Sequence, residues 1–206
     1  MDNDSKGILI GIEGIDAVGK RTQTSFLNTW LRSRGHPVCV ISFPDYGTVL
    51  GAEIKRFLSG NRNYPPEVRH MLFAANRWEK KNYLDSALSR SDIVIVNRYS
   101  ESNFAYGIAN GLKLEWLVNL EAGLPQTDMV FVLDAPPATL LSRRQRGRDE
   151  NERNVKLQER TREAYLKLAN NFGWNVLNAT GGIEETSRLL TNSVSNTFKA
   201  LTSRTV

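Results

Sequence analysis

Short apolar runs recur along the chain and alternate with longer segments in which apolar residues are spaced by three or four positions. An apolar run of about four to eight residues without polar alternation is typical of a strand buried on both faces. The chain has five such runs, at residues 8–13, 38–43, 92–97, 129–134 and 174–179. The pattern therefore predicts five strands separated by helices.

The segments between these runs carry the apolar stripes of amphipathic helices. The stripes consist of Phe26, Leu27, Trp30 and Leu31 in the first helix and of Val68, Met71, Leu72 and Ala75 in a second. Gly35 is expected to end the first helix, and Pro66 to begin the second, which is predicted as one long helix to about Arg90. A last helix is predicted to begin near Ile183.

Strands that alternate with helices predict right-handed βαβ units and an α/β fold, in which a five-stranded parallel sheet has helices on both faces. Ligands of such sheets bind beyond the carboxyl ends of the strands. The segments expected around that crevice are residues 14–21, 43–47 and 97–99 together with Asp134. The 206 residues contain no repeat or linker, so we expect a single domain over 1–206.

The composition is that of an ordinary globular protein, with 40% hydrophobic and 24% charged residues. One cysteine, Cys39, excludes an internal disulfide, and its apolar neighbours suggest a buried residue. No apolar run approaches the roughly 20 residues that span a bilayer, so no membrane association is expected. The polar, acidic N-terminus is unlike a signal or transit peptide, and we expect a cytoplasmic protein.

The net charge is +5, and several of the arginines lie in the stretch SRRQRGR, residues 142–148. Such a cluster favours an anionic partner, which could be a nucleic acid or a polyphosphate. Composition by itself leaves both open.

The stretch GIEGIDAVGKRTQ, residues 11–23, has the spacing of a phosphate-binding loop between a strand and a helix. Backbone N–H groups of such a loop bind phosphate oxygens, and its lysine contacts the β- and γ-phosphates of ATP. The residues expected at the ATP site are Gly14, Ile15, Asp16, Ala17, Val18, Gly19, Lys20, Arg21 and Thr22. The alternative is a tight turn that binds nothing.

Four further segments resemble one family in their order and spacing. They are FPDYG (43–47), FAANRW (73–78), NRYSESNFAYG (97–107) and GLPQTDMVFVLDAPPATLLSRRQRGRD (123–149). Together they resemble thymidylate kinases, which are P-loop nucleoside monophosphate kinases, over residues 8–165. The resemblance implies a three-layer P-loop kinase fold, a homodimer, and phosphoryl transfer from ATP to dTMP, a step toward dTTP.

The resemblance also implies an acceptor site. Arg98 would hold the dTMP phosphate, Phe73 would stack on thymine, and Arg77 would donate to a base carbonyl. Ser102 and Asn103 would contact the base or the phosphate. Tyr106 would lie against the sugar C2′, Phe43 and Tyr46 would line the cleft, and Asp16 would approach the 3′-hydroxyl or a metal-bound water. Phe73 and Tyr106 could equally be core residues.

An arginine-rich lid around residues 142–153 is implied in the same way. Closure of the lid over ATP would exclude water and bring arginines to the transferred phosphoryl group. The candidate arginines are Arg144 and Arg148. Asp149 or Glu152 would contact a sugar. The uncharged Ala17 matches those family members that use lid arginines.

Two residues depart from the expected magnesium site. Arg21 replaces the usual Ser or Thr of the loop, and Asn97 replaces the usual Asp before Arg98. Because Mg²⁺ keeps several waters and relies on substrate phosphates, we expect it to bind with ATP, helped through water by Asp16 or Asn97. The interpretation is an active, magnesium-dependent kinase.

Three alternatives stay open. The protein could phosphorylate another nucleotide or nucleoside, such as UMP or deoxycytidine, through the same donor site. It could be a catalytically impaired homologue that binds nucleotides. It could also bind nucleic acid through the basic stretch, but the sequence has no helix-turn-helix, zinc module or aromatic RNA platform, so we expect no nucleic-acid partner.

Overall fold

The five predicted strands are confirmed within two residues at their ends. The computed structural model describes residues 7–91, 93–143 and 154–202. Over these ranges the strands are β1 (Ile8–Glu13), β2 (Val38–Ser42), β3 (Ile93–Asn97), β4 (Met129–Asp134) and β5 (Asn175–Asn178).

All neighbouring strands pair in parallel, in the order β2-β3-β1-β4-β5. In the register, Ile12 of β1 lies between Asn97 of β3 and Phe131 of β4. The carboxyl ends of the three central strands therefore meet at one edge of the sheet.

Helices occupy the connections between strands. In chain order the α-helices within the described ranges are α1 (Lys20–Arg32), α2 (Val49–Leu58), α3 (Pro66–Glu79), α4 (Lys81–Arg90), α5 (Ser100–Ala109), α6 (Leu114–Glu121), α7 (Val155–Phe172) and α8 (Ile183–Thr202). A 3₁₀ helix covers Pro137–Arg143. Among these helices none has the length and apolarity that crossing a membrane requires.

The sheet is covered on both faces. Alternate residues of a strand point to opposite sides, and Leu9 packs with Leu84 and Leu88 of α4 while Ile10 packs with Leu27 of α1. The three central strands β1, β3 and β4 form continuous apolar runs because both of their sides are buried. The three-layer α/β arrangement confirms the predicted fold class.

The predicted long helix over residues 66–90 is wrong in one respect, since it is two helices that meet at Lys80. Lys80 leaves the helical conformation (φ −102°, ψ 2°) and its ammonium pairs with Asp45 at 2.6 Å. The bend lets α3 pack on α2, α5 and α6 while α4 packs on β3. No proline or glycine marks the bend, so the sequence gives no local signal of it.

Two residues of the predicted apolar stripes are not in the core. Phe26 of α1 and Met71 of α3 are each 46% exposed, and Val68, Leu72 and Ala75 are only partly buried. The buried residues of α3 are His70, Ala74, Asn76 and Arg77. Two of them, His70 and Arg77, line the site described below, and Asn76 is hydrogen-bonded to Asp45 and Thr48. Cys39 is also only partly buried.

We expect the two phenylalanines Phe131 and Phe26 to respond differently to truncation. Phe131 is fully buried in β4, so Phe131→Ala should lower the free energy of unfolding by about 3–5 kcal/mol. Phe26→Ala, the matched control, should change it by about 0.5 kcal/mol or less. Urea denaturation of both variants measures the difference; equal losses would contradict the assigned packing.

Candidate active site

The glycine-rich loop joins the end of β1 to the start of α1. Gly14 has φ +132°, and a Cβ there would overlap the carbonyl oxygen of Leu133, so no larger residue fits. Gly19 has φ +103° and precedes the first turn of α1. The loop therefore ends at a helix N-terminus, where exposed N–H groups favour anions.

Lys20 places a positive charge against this loop. Its side chain is buried, and Nζ donates hydrogen bonds to the carbonyl oxygens of Gly14 (3.0 Å) and Ile15 (2.7 Å). The predicted phosphate-binding lysine thus lies at the N-terminal end of α1, beside the loop that it was expected to serve.

Arg98 follows β3 and reaches toward the same loop. Its backbone N–H donates to the carbonyl of Ile12 (3.1 Å), and its φ of +63° is rare for a residue with a side chain. The guanidinium donates to Gly14 O and to Ser102 Oγ, both at 3.3 Å, and to the carboxylate of Asp16. Such strained positions cluster at functional sites.

Asp16 collects donors from three elements. Its carboxylate accepts from Arg98, from Tyr106 Oη (2.8 Å) and from Gln158 Nε2 (2.8 Å). Burial acts to raise the pKa of Asp16, but the charges of Arg98 and Lys20 outweigh it and hold that pKa below its ordinary value. Asp16 is therefore an anion between two cations.

A buried carboxylate, Glu13, lies behind this group. Its Oε1 accepts from the backbone N–H of Tyr99 (2.6 Å), and its Oε2 accepts from the hydroxyls of Ser102 (2.6 Å) and Tyr165 (2.7 Å). Glu13 thus ties β1 to α5 and α7. Ser102, which was expected to contact base or phosphate, has its hydroxyl directed at Glu13.

A pocket opens beside Arg98, and every residue predicted for the acceptor site lines it. Three further residues complete its wall, namely Pro44, Leu58 and His70. Residues 43–46 come from the loop after β2, Asp16 comes from the glycine-rich loop, and Arg98 directly follows β3. The others come from α2, α3 and α5. The structure therefore brings the predicted acceptor residues to one place.

The pocket aromatics also serve the core. Phe43 is buried against Tyr99, with ring centroids 5.8 Å apart, and the ring of Tyr106 packs edge-on to Tyr165 at 6.4 Å. Phe73 is partly buried and contacts a smaller cluster around α2. The core and substrate-binding interpretations of Phe73 and Tyr106 are compatible, because each ring packs on buried residues and also faces the pocket.

The floor of the pocket is a buried polar cluster. Arg77 donates from Nε to Glu121 Oε2 at 2.8 Å and from Nη2 to Oε1. Asn103 donates from Nδ2 to the same carboxylate at 2.7 Å, and its Oδ1 lies 2.6 Å from His70 Nδ1. The base-binding candidates Arg77 and Asn103 are thus joined through Glu121.

Some expected residues lie elsewhere. Asp134, placed by the sequence at the crevice, is bonded to Arg162 of α7 at 2.7 and 2.8 Å and does not line the pocket. Arg21 is exposed on the first turn of α1. The lid candidates Arg144, Arg148, Asp149 and Glu152 lie outside the described residues.

Besides the wall residues Pro44 and Leu58, sequence reasoning missed four polar residues of the site, Glu13, His70, Glu121 and Gln158. Only Glu13 carried a usable signal, since a carboxylate at the end of a buried strand and next to Gly14 has to find donors nearby. The partners of the other three become visible only when distant segments meet.

Asn97 is the candidate for a metal-facing group. Its Oδ1 is buried and has no hydrogen-bond partner within the described ranges. Those ranges contain no group of three His, Cys, Asp or Glu side chains that could hold a metal ion. A metal would therefore depend mostly on ligands that come with a substrate.

A glycine-rich loop with its lysine at a helix N-terminus, next to a cationic pocket at the carboxyl edge of a parallel sheet, defines the P-loop kinase class. A model of the family described as thymidylate kinase matches residues 12–190. The chain therefore belongs to the thymidylate kinase family.

Individual relatives agree with this assignment. The chain is 35% identical to a thymidylate kinase of Arabidopsis thaliana, in an alignment that covers 96% of this chain and 74% of that protein. It is 31% identical to a thymidylate kinase of Schizosaccharomyces pombe, in an alignment that covers 95% of each chain. A solved thymidylate kinase from Candida albicans, an enzyme of broad substrate specificity, superposes with a TM-score of 0.83 at 26% identity, covering 93% of this chain and 92% of that one.

Proposed function

We propose that the protein transfers the γ-phosphoryl group of ATP to dTMP, forming ADP and dTDP. In this reaction the bond from the γ-phosphorus to the β–γ bridging oxygen breaks, and a bond to a phosphate oxygen of dTMP forms. The observation that carries the proposal is the Lys20–Asp16–Arg98 arrangement, in which donor loop and acceptor pocket share one ion-paired centre. Family membership supports the same reaction.

For the donor, the proposal assigns residues 14–22 to the ATP phosphates. The loop amides and the N-terminus of α1 favour the negative charge, and Lys20 stabilises it further. We also propose a single domain with a lid around residues 142–153, in which Arg144 and Arg148 would bring positive charge to the ATP phosphates when the lid closes. The predicted cytoplasmic location stays a prediction.

For the acceptor, the proposal assigns Arg98 to the phosphate of dTMP. The planar guanidinium matches two phosphate oxygens, and an incoming phosphate would share it with Asp16. Tyr106, whose hydroxyl is bonded to Asp16, would then lie beside the sugar, and Asp16 beside the 3′-hydroxyl. Phe73 would stack on the base.

The proposal includes Mg²⁺ as the ion bound with ATP. The Asn97 Oδ1, which has no partner among the described residues, could serve as a neutral oxygen ligand or as an acceptor for a metal-bound water. Either role fits an ion held largely by phosphates and water. When bound, such an ion neutralises charge on the transferring phosphoryl group. Arg21 is exposed on the first turn of α1.

We also propose a homodimer, formed by α2, α3 and α6. Helix α3 contacts both α2 and α6, and all three helices carry exposed apolar residues. Met71 and Trp78 lie two turns apart on one face of α3, Val49 is 83% exposed on α2, and Val118 is exposed on α6. A second copy would cover this face, since apolar area of this kind is typical of homodimer interfaces.

Arg98→Ala should lower kcat/KM for dTMP at least about 100-fold, because the phosphate loses its bidentate partner. The assay follows ADP release with ATP and dTMP. Arg62→Ala is the control, since Arg62 is an exposed residue that pairs with Glu53 of α2 and does not line the pocket. Unchanged turnover of Arg98→Ala would refute the acceptor assignment. Faster turnover of UMP or dCMP than of dTMP would refute the assigned substrate.

Asn97→Asp should lower the Mg²⁺ concentration for half-maximal rate about fivefold, because one added charge contributes about 1 kcal/mol near the ion. The measurement is a magnesium titration of the rate at fixed ATP, with the exposed Asn61→Asp as control. Full activity in excess chelator would rule out the metal.

Met71→Glu should convert the dimer to a monomer, because it would place a charge in the apolar contact. Sedimentation velocity measures the mass. Phe26→Glu is the matched control, since Phe26 is equally exposed but lies on α1. A wild-type protein with the mass of one chain would argue against the dimer.

A further inference from the structure

We infer that Glu121, at the end of α6, is a positioning residue that fixes the hydrogen-bond polarity of the pocket floor, so that the floor accepts a 4-oxopyrimidine and rejects a 4-aminopyrimidine. The inference rests on the proposed function of the pocket and adds to it the residue that selects the base.

Glu121 is buried and surrounded by donors. Its carboxylate accepts from Nε (2.8 Å) and Nη2 of Arg77, from Nδ2 of Asn103 (2.7 Å) and from the hydroxyl of Ser100 (3.2 Å). Because Glu121 forms an ion pair with Arg77, it acts as an acceptor only. Each of these neighbours must therefore turn a hydrogen toward it.

The orientation of the Asn103 amide follows from this contact. With Nδ2 directed at Glu121, Oδ1 points the other way, where it lies 2.6 Å from Nδ1 of His70. An amide oxygen only accepts, so His70 carries its proton on Nδ1. On the opposite side of the ring, Nε2 lies 3.3 Å from Nδ2 of Asn110, a donor that requires Nε2 to be the acceptor.

Both neighbours of His70 thus select the same neutral tautomer. Burial lowers the pKa of His70 to about 4, which keeps the ring neutral at physiological pH. A chain of fixed polarity runs from Glu121 through Asn103 and His70 to Asn110. A doubly protonated ring would set the donor Nε2–H against the N–H of the Asn110 amide.

The floor consequently presents one donor and one acceptor to a ligand. Arg77 has two of its nitrogens on Glu121, and the guanidinium lines the pocket, where it can only donate. Asn103 Oδ1 has a second lone pair and can only accept. A 4-oxopyrimidine such as thymine offers an acceptor at O4 and a donor at N3–H, which complements this pair.

A 4-aminopyrimidine such as cytosine offers the reverse, an amino donor and a ring-nitrogen acceptor. It would set donor against donor and acceptor against acceptor, and leave buried polar groups unpaired, which is the strongest means of rejection available to a binding site. The anion at Glu121 prevents the Asn103 amide from flipping to accommodate it.

Glu121→Gln tests the inference, because its amide can donate to Asn103 and thereby release the flip. We expect the ratio of kcat/KM for dTMP to kcat/KM for dCMP to fall at least about tenfold. The change should lie in KM for the acceptor monophosphate, and KM for ATP should stay the same. Glu115→Gln, on the exposed side of the same helix, should leave the ratio unchanged, and Glu121→Asp should recover part of it.

The tautomer of His70 provides a readout independent of turnover. The chain has two histidines, so ¹⁵N spectra of the wild type and of His36→Asn assign the His70 signals. We expect the Nδ1–H tautomer in the wild type and a mixture in Glu121→Gln. An Nε2–H tautomer in the wild type would overturn the inference even if Glu121→Gln did not fold.

The kinetic outcomes also separate this inference from the proposed function. A wild type that phosphorylates neither dTMP nor dCMP would refute the proposed function. A wild type that prefers dTMP, together with a folded Glu121→Gln that keeps both the wild-type ratio and the wild-type tautomer, would refute only the role of Glu121.

Discussion

The ion pair between Asp16 and Arg98 is the interaction on which the rest of the site depends. It joins the phosphate loop to the strand end that carries the acceptor pocket. Both groups are largely removed from water, so either one alone would be a buried charge without a partner, at a cost of several kcal/mol. Hydrogen bonds flank the positive φ of Arg98, since its own N–H donates to Ile12 O and its neighbour Tyr99 donates its N–H to Glu13. Loop, strand and pocket are therefore one electrostatic unit.

Carboxylates form the support of a site that faces anionic substrates. Glu13 and Glu121 are buried behind the cations and, as acceptors, fix the direction of each donor around them. A third, Glu101, lies nearby, and burial together with the charge of Glu13 raises its pKa to about 7. The guanidinium of Arg77, which lines the pocket, is thus held by Glu121, which does not line it, whereas Arg98 is held by Asp16 in the pocket itself.

The comparison with the Candida albicans enzyme shows how little sequence identity this architecture requires. A TM-score of 0.83 accompanies 26% identity, because a parallel sheet needs apolar residues of suitable size rather than particular ones. Positions with a specific chemical role require one particular residue. Gly14 has no room for a side chain, and Arg98 cannot be replaced without losing its ion pair.

The sequence by itself determined the five strands, the phosphate loop and, through the family resemblance, most of the residues that line the acceptor pocket. Those signals are local, since apolar runs and glycine spacing are read within a few residues. Only the tertiary structure decided the bend at Lys80, the exposure of Phe26 and the duties of Glu13 and Glu121. Glu13 meets a donor 152 positions away at Tyr165, and Glu121 meets Arg77 across 44. A buried carboxylate takes its role from the donors that the fold brings to it, and no local pattern records which donors those are.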